Sequence, residues 1–308
     1  MTRTNSLVRT AVQAFFTLVI VSILVFFALR AVPGDPVDLM LGENAAPVQQ
    51  SALRHRLGLD KPLSEQWLEF ARRLARADLG ESLTQRRKVT ELILERLPNT
   101  LLLALVATLL ANLIGVPAGT WAAYRPRSAF ARATFALSTL FLALPTFWLG
   151  PLLVILFSLR WPWLPVSAFH EPAAIVLPAL TLATGMAAVI CRTTFAAVSS
   201  CLGAPYLQSA RAKGASERRV LFFHALPNAA TPVLMVSSLQ FGGLLAGAVV
   251  TEAVFDWPGI GGLAFDAISS RDYPTVQGVV LVIAAGYILV NLAAELVRLR
   301  LNPEEKTA

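Results

Sequence analysis

The sequence predicts an all-α membrane protein with six transmembrane helices, and three observations carry that expectation. Hydrophobic residues make up 56% of the chain against 15% charged, and the mean hydropathy is +0.62, too apolar for a soluble domain of 308 residues. Apolar runs long enough to cross a bilayer recur along it. The loops between those runs alternate in charge, basic and then acidic, as a multi-pass chain obeying the positive-inside rule must. A net charge of +7 would suggest nucleic acid in a soluble protein. Here many basic residues flank apolar runs and orient the chain, so a lipid bilayer is the expected partner and nucleic acid is not.

The first apolar run, 11–29, lies between Arg9 and Arg30 and spans about 28 Å of hydrocarbon at 1.5 Å per residue. It is longer than the apolar stretch of a secretory signal, and no small-residue cleavage site follows, so an uncleaved anchor is expected. Residues 31–97 then carry ten basic and ten acidic side chains. Pro33-Gly34-Asp35-Pro36 opens this part as a turn, and 53–57, 68–77 and 89–97 read as short amphipathic helices, together forming a folded cap. The second span, 100–124, is interrupted by Asn112, Gly115 and Pro117, and Arg125, Arg127 and Arg132 follow it on the inner side. The third, 133–159, contains Pro145, which predicts a kink.

An outer loop with Trp161, Trp163 and His170 leads to the fourth span, 173–190, which Arg192 is expected to close. The fifth span, 229–251, holds Ser237, Gln240, Gly242 and Gly243; with Asn112, the residues Ser237, Gln240 and Gly243 are candidates for a translocation path, close helix packing being the alternative. The stretch from 252 to 274 has four acids and one Arg, so it is expected outside, with the turn Asp256-Trp257-Pro258-Gly259 as a candidate gate. The sixth span, 275–297, is followed by Arg298, Arg300 and Lys306, which places both termini in the cytoplasm.

Between the fourth and fifth spans lies 205–227, PYLQSARAKGASERRVLFFHALP. Pro205 can open a helix, Gly214 can stop it, and Ser216 can cap a second helix from Glu217 onward. Arg192, Arg211, Lys213, Arg218 and Arg219 against Glu217 alone place this glycine corner in the cytoplasm.

That segment resembles the EAA loop of bacterial ABC importer permeases, whose spacing is E-A-A, three residues, G, nine residues, I-x-L-P. Here it reads Gln208-Ser209-Ala210, Gly214, and His224-Ala225-Leu226-Pro227, departing at Gln208 and His224. The wording Ala210-Arg211-Ala212-Lys213-Gly214 is similar to the dipeptide, oligopeptide and nickel branch. The turn at 33–36, Leu57-Gly58-Leu59-Asp60, Asp78-Leu79-Gly80, Arg96-Leu97-Pro98, Pro145-Thr146-Phe147-Trp148 and Phe255-Asp256-Trp257-Pro258-Gly259 resemble landmarks of its B-type subunits in the same order. The tail reads Leu301-Asn302-Pro303-Glu304 where the family has L-D-P-R.

The resemblance implies a type I importer permease fold in the bacterial inner membrane. It divides into a first helix in 1–30, an extracytoplasmic cap over 31–97 and a five-helix core in 98–308 that carries the coupling loop 205–227. It also implies a heterodimeric second permease, two ATPase subunits and an extracytoplasmic substrate-binding protein as partners. ATPase coupling would fall on Tyr206, Gln208, Ser209, Ala210, Arg211, Ala212, Lys213, Gly214, Ala215, Leu226 and Pro227. Peptides are the expected cargo, with nickel or other metal chelates, glutathione or haem as the alternative.

No lysine follows a glycine in a G-K-[ST] loop, so ATP hydrolysis is expected in a partner. His55, His170 and His224 are far apart, and Cys191 and Cys201 fit neither a disulfide framework nor a metal pair, so neither a metal nor a cofactor is expected. A channel or an intramembrane enzyme would need a filter or a catalytic pair within the spans, and the sequence offers neither.

Overall fold

The computed structural model describes residues 3–31, 37, 46–166, 169 and 171–301, all the elements of which are helical apart from one isolated bridge between Glu81 and Lys88. The turn at 33–36, His170 and the tail from Asn302 lie outside the described residues.

The helices in order are α1 (Arg3–Ala31), α2 (Pro47–Leu57), α3 (Leu63–Leu74), α4 (Val89–Tyr124), α5 (Ala129–Ala143), α6 (Thr146–Val154), α7 (Val176–Leu202), α8 (Pro205–Ala212), α9 (Glu217–Arg219), α10 (Leu226–Asn228), α11 (Ala230–Gly247), α12 (Val249–Val254), α13 (Ile260–Ser269) and α14 (Tyr273–Leu301). Wider π-helical turns, Ile155–Arg160 and Val220–Ala225, extend α6 and join α9 to α10. Among the described residues four helices are long and apolar enough to cross a membrane, and the total reaches six when each of two bent pairs counts as one span.

Three expectations change at prolines and at Arg192. The helix expected to end at Leu97 and the second span are one helix, α4, which runs through Pro98 and Pro117. A proline costs one ladder hydrogen bond, which a continuous apolar helix in a packed bundle tolerates. At Leu144-Pro145, by contrast, the expected kink is a break of 104° between α5 and the helical stretch from Thr146. Leu144 leaves the helix with ψ of 119°, the extended conformation favoured before proline. Finally, α7 does not stop at Arg192. It continues to Leu202, because Thr194 and Val198 remain buried and the Arg192 guanidinium donates to Thr139 Oγ1 on α5 at 2.6 Å.

The chain forms two compact units. One comprises Leu101–Trp257 and Tyr287–Ala308 with Met1–Arg3; the other comprises Thr4–Thr100 and Pro258–Gly286. In the first, α7 is the hub, with 67% of its apolar window buried. Its Leu182, Met186 and Ile190 pack with Leu103 and Ala107 of α4 and with Val233 and Leu244 of α11. Two glycines let α4 approach α7 closely. A Cβ at Gly115 would lie 2.7 Å from the Ala187 carbonyl oxygen, and one at Gly119 would lie 2.3 Å from that of Cys191. Gly115 and Gly119 are thus a small-xxx-small contact, which association between membrane helices favours because lipid supplies no hydrophobic driving force.

In the second unit Val89, Leu92 and Ile93 of α4 pack on Ile260, Leu263 and Ala264 of α13 and on Val279 of α14. The expected linear cap of 31–97 therefore shares a core with a segment nearly two hundred residues later. Asp272, 1% exposed, ties the two together. It accepts from Ser82 Oγ, Thr84 Oγ1, the Leu83 amide (3.0 Å) and Thr275 Oγ1 (2.8 Å), and so meets both the turn at 82–84 and the start of α14.

Candidate functional site

The 205–227 segment folds as its residues dictate. Pro205 occupies the first helical position of α8, and the helix ends on Gly214 at φ +81°, the left-handed conformation that glycine adopts without cost. The Gly214 amide donates to the Arg211 carbonyl (2.9 Å) and the Ala215 amide to the Ala210 carbonyl (3.2 Å), the paired bonds of a Schellman ending. Arg211 Nε reaches Glu217 Oε1 across the corner at 2.9 Å. Both side chains are more than a third exposed or nearly so, which limits this ion pair to under ~1 kcal/mol. Ser216 stands at the N-cap of α9 with extended backbone, but its hydroxyl makes no capping bond, contrary to expectation.

The segment divides the expected coupling residues into two faces. Leu207, Val220, Leu221 and Ala225 are buried with Ala123 and Val198, and Ala210, Ala215 and Leu226 pack against the same cluster. Tyr206, Gln208, Ser209, Ala212, Lys213, Gly214 and Pro227 are exposed, and no atom lies within 4 Å of a Cβ built on Gly214. Partial desolvation, and secondarily Cys201, raise the Tyr206 phenol above its ordinary value. The exposed residues form a small, basic surface on a packed base.

The candidate path residues separate in the same manner. Ser237 is 7% exposed and donates to Asn112 Oδ1 at 2.8 Å, while Asn112 Nδ2 donates to the Thr108 carbonyl at 2.9 Å. Gln240 is half-buried and Gly243 is exposed with open space at its Cβ position. Gly242 serves packing, since its Cβ would lie 3.0 Å from Tyr287 Cδ2.

In the candidate gate turn, Asp256 holds φ +50° and ends α12, with the Trp257 amide donating to the Glu252 carbonyl at 2.8 Å. Short polar side chains tolerate this region better than most. Trp257 is buried, edge-on to Phe169 at 5.0 Å. Within the second unit, the Pro258 carbonyl accepts from Asn99 Nδ2 (2.8 Å) and the Ile260 amide donates to Thr100 Oγ1 (2.9 Å). Asn99 and Thr100 are residues that the linear reading did not connect to this turn. Among the described residues no group of His, Cys, Asp and Glu could hold a metal ion.

A family model described as the inner membrane component of binding-protein-dependent transport systems matches residues 115–306, and one for the N-terminal part of such components matches residues 3–104. The di/tripeptide transport system permease protein DppB of Pseudomonas aeruginosa is 42% identical over 92% of this chain and 93% of its own. The glutathione transport system permease protein GsiC of Escherichia coli O6:H1 is 37% identical over 97% of this chain and 98% of its own. The dipeptide transport system permease protein DppB of Escherichia coli K12 is 37% identical over 93% and 94%. Among solved structures, an inward-facing form of the MetNI methionine ABC transporter gives a TM-score of 0.54 at 21% identity, covering 69% of this chain and 97% of that one, which bears on fold alone. With family models matched across nearly its whole length, the chain belongs to the inner membrane components of binding-protein-dependent transport systems, multi-pass permeases of the ABC importers.

Proposed function

We propose that this permease carries short peptides inward, forming half of a translocation pore with a second, related permease. The 42% identity to a di/tripeptide permease over 92% of the chain carries this reading. Both termini and the 205–227 segment face the cytoplasm, where two ATPase subunits dock, and residues 31–97 face the substrate-binding protein outside. The exposed face around Gly214 receives the ATPase stroke, and its buried partners, Leu207, Val220 and Leu221, pass that stroke to α7 and to the end of α4 through the packed base. Gln240 and Gly243 line the path, and the Asp256 to Gly259 turn gates its outer mouth. Glutathione is a second reading, favoured by the 37% identity to GsiC; it is itself a tripeptide and fits the same permissive pore.

Uptake of labelled dialanine, trialanine and glutathione by cells lacking and then regaining this chain tests the proposal. Restored uptake of the alanine peptides is the expected result. Restoration of glutathione uptake alone favours the second reading, and restoration of none overturns both.

A further inference from the structure

The second unit contains a cavity of about 530 Å³ at the end of α1, bounded by α3, the turn at 78–86 and the start of α14. At its wall stands Arg30, the last-turn cation of the 20-residue apolar window Val12–Ala31, only 11% of which is buried. The guanidinium lies 3.5 Å from the Phe26 ring centroid and 6.0 Å from that of Tyr273. Its Nε donates to Gln66 Oε1 and its Nη1 to the Phe26 carbonyl, each at 3.1 Å. Gln66 is held in turn by donating to the Leu59 and Lys61 carbonyls. The Arg30 fork is therefore fixed in place by neutral acceptors, and among the described residues no carboxylate pairs with it.

Three of the nearby charges are committed to one another. Arg73 binds Glu69 at 2.9 Å, and Lys61 joins them at 3.3 Å; these two cations hold the Glu69 carboxyl below its ordinary value. Gln277, one turn beyond Tyr273 and 6% exposed, also lines the cavity, and its Nε2 has no acceptor among the described residues. A preorganised guanidinium without a counter-charge, beside an amide donor without an acceptor, is the chemistry that recognises an oxyanion.

The depth of the site indicates which oxyanion. Arg30 sits at the end of an apolar span that this chain leaves largely uncovered, which in a bilayer is the level of phospholipid headgroups, with Phe26, Phe70 and Tyr273 as aromatic walls. The acids Asp78 and Glu81 line the same cavity and suit the amine of a zwitterionic headgroup. We infer that this cavity holds a phospholipid headgroup, its phosphate on the Arg30 guanidinium and its ammonium toward the acidic residues.

Native mass spectrometry of the purified full chain, with phosphatidylethanolamine returned after delipidation, tests this. Wild type should retain one tightly bound phosphatidylethanolamine, and Arg30→Gln should bind it about ten-fold or more weakly at an unchanged melting temperature. Arg30→Lys keeps the charge but not the planar fork and should fall between them, which keeps the test valid if Arg30→Gln folds poorly. Separate additions of inorganic phosphate and of dialanine distinguish other sources of an oxyanion, and neither should displace the lipid at millimolar concentration. Equal lipid retention by wild type and the folded variants overturns the inference, as does displacement by either soluble competitor.

Discussion

Ser237 of α11 and Asn112 of α4 are joined by a hydrogen bond of 2.8 Å, and Asn112 uses its other polar end on the Thr108 carbonyl. Two residues that the linear sequence offers as pore-lining thus satisfy one another between helices. Asn112→Ala and Ser237→Ala should show a coupling energy of about 0.6 kcal/mol in a double-mutant cycle on detergent-solubilised protein, typical of hydrogen bonds between membrane helices. Gly243→Cys, where a Cβ meets open space, should react with a water-soluble thiol reagent in the assembled transporter and be protected by cargo. Ser237→Cys should remain unreactive. Reversal of that pattern would place the path on the other face of α11.

The contact of α4 with α7 is closest at Gly119. Gly119→Ala drives a methyl group toward the Cys191 backbone, which cannot yield without separating the helices, at a cost of about 1–3 kcal/mol or more. Gly185→Ala on α7 meets nothing within 4 Å and is the matched control. Membrane levels and melting temperature should fall for the first variant only.

At Asp272 the expected cost is polar. Asp272→Ala strips the shared acceptor from Ser82, Thr84, Leu83 and Thr275 and should cost about 3 kcal/mol or more, while Asp272→Asn keeps part of the acceptor set and should cost less. Limited proteolysis should then cut the 82–86 turn faster in the order Ala, Asn, wild type. Equal cutting of all three would show that the turn is held by other contacts.

Sidedness is checked by single cysteines on a chain lacking Cys191 and Cys201. Ser128 accepts the Ala131 amide as the N-cap of α5, so the inner label belongs at exposed Ala129 instead, with Ser269 as the outer position. The two should label from opposite faces of the membrane, and labelling from one face would contradict the six-span arrangement.

Much of this was legible in the sequence because it is local. Apolar runs, loop charge and the Pro205, Gly214 and Glu217 order of helix start, stop and restart depend only on near neighbours, and the Schellman ending at Gly214 follows them. What was not legible depends on partners far along the chain. A proline shows where a ladder bond is missing but not whether the flanking helices find the same neighbour, so Pro98 passes unmarked inside α4 while Pro145 coincides with a 104° break. Ser216 occupies the position that its type favours without making the bond that favours it. The pairing of Asn112 with Ser237, and of Asp272 with the 82–84 turn, spans 125 and nearly 190 residues, beyond any local pattern.

The coupling role of the Gly214 corner is tested most directly by Gly214→Val and Gly214→Asn in the assembled transporter, read by peptide uptake, ATPase copurification and ATP hydrolysis stimulated by loaded binding protein. At φ +81° a β-branched residue is strained, whereas Asn tolerates the left-handed region, and among the described residues no atom lies within 4 Å of a Cβ there. A coupling role for the corner predicts near-normal membrane levels for both variants, loss of uptake and of stimulated hydrolysis for Val, and substantial retention for Asn. Wild-type uptake by Gly214→Val would contradict it and reduce the segment to a passive loop.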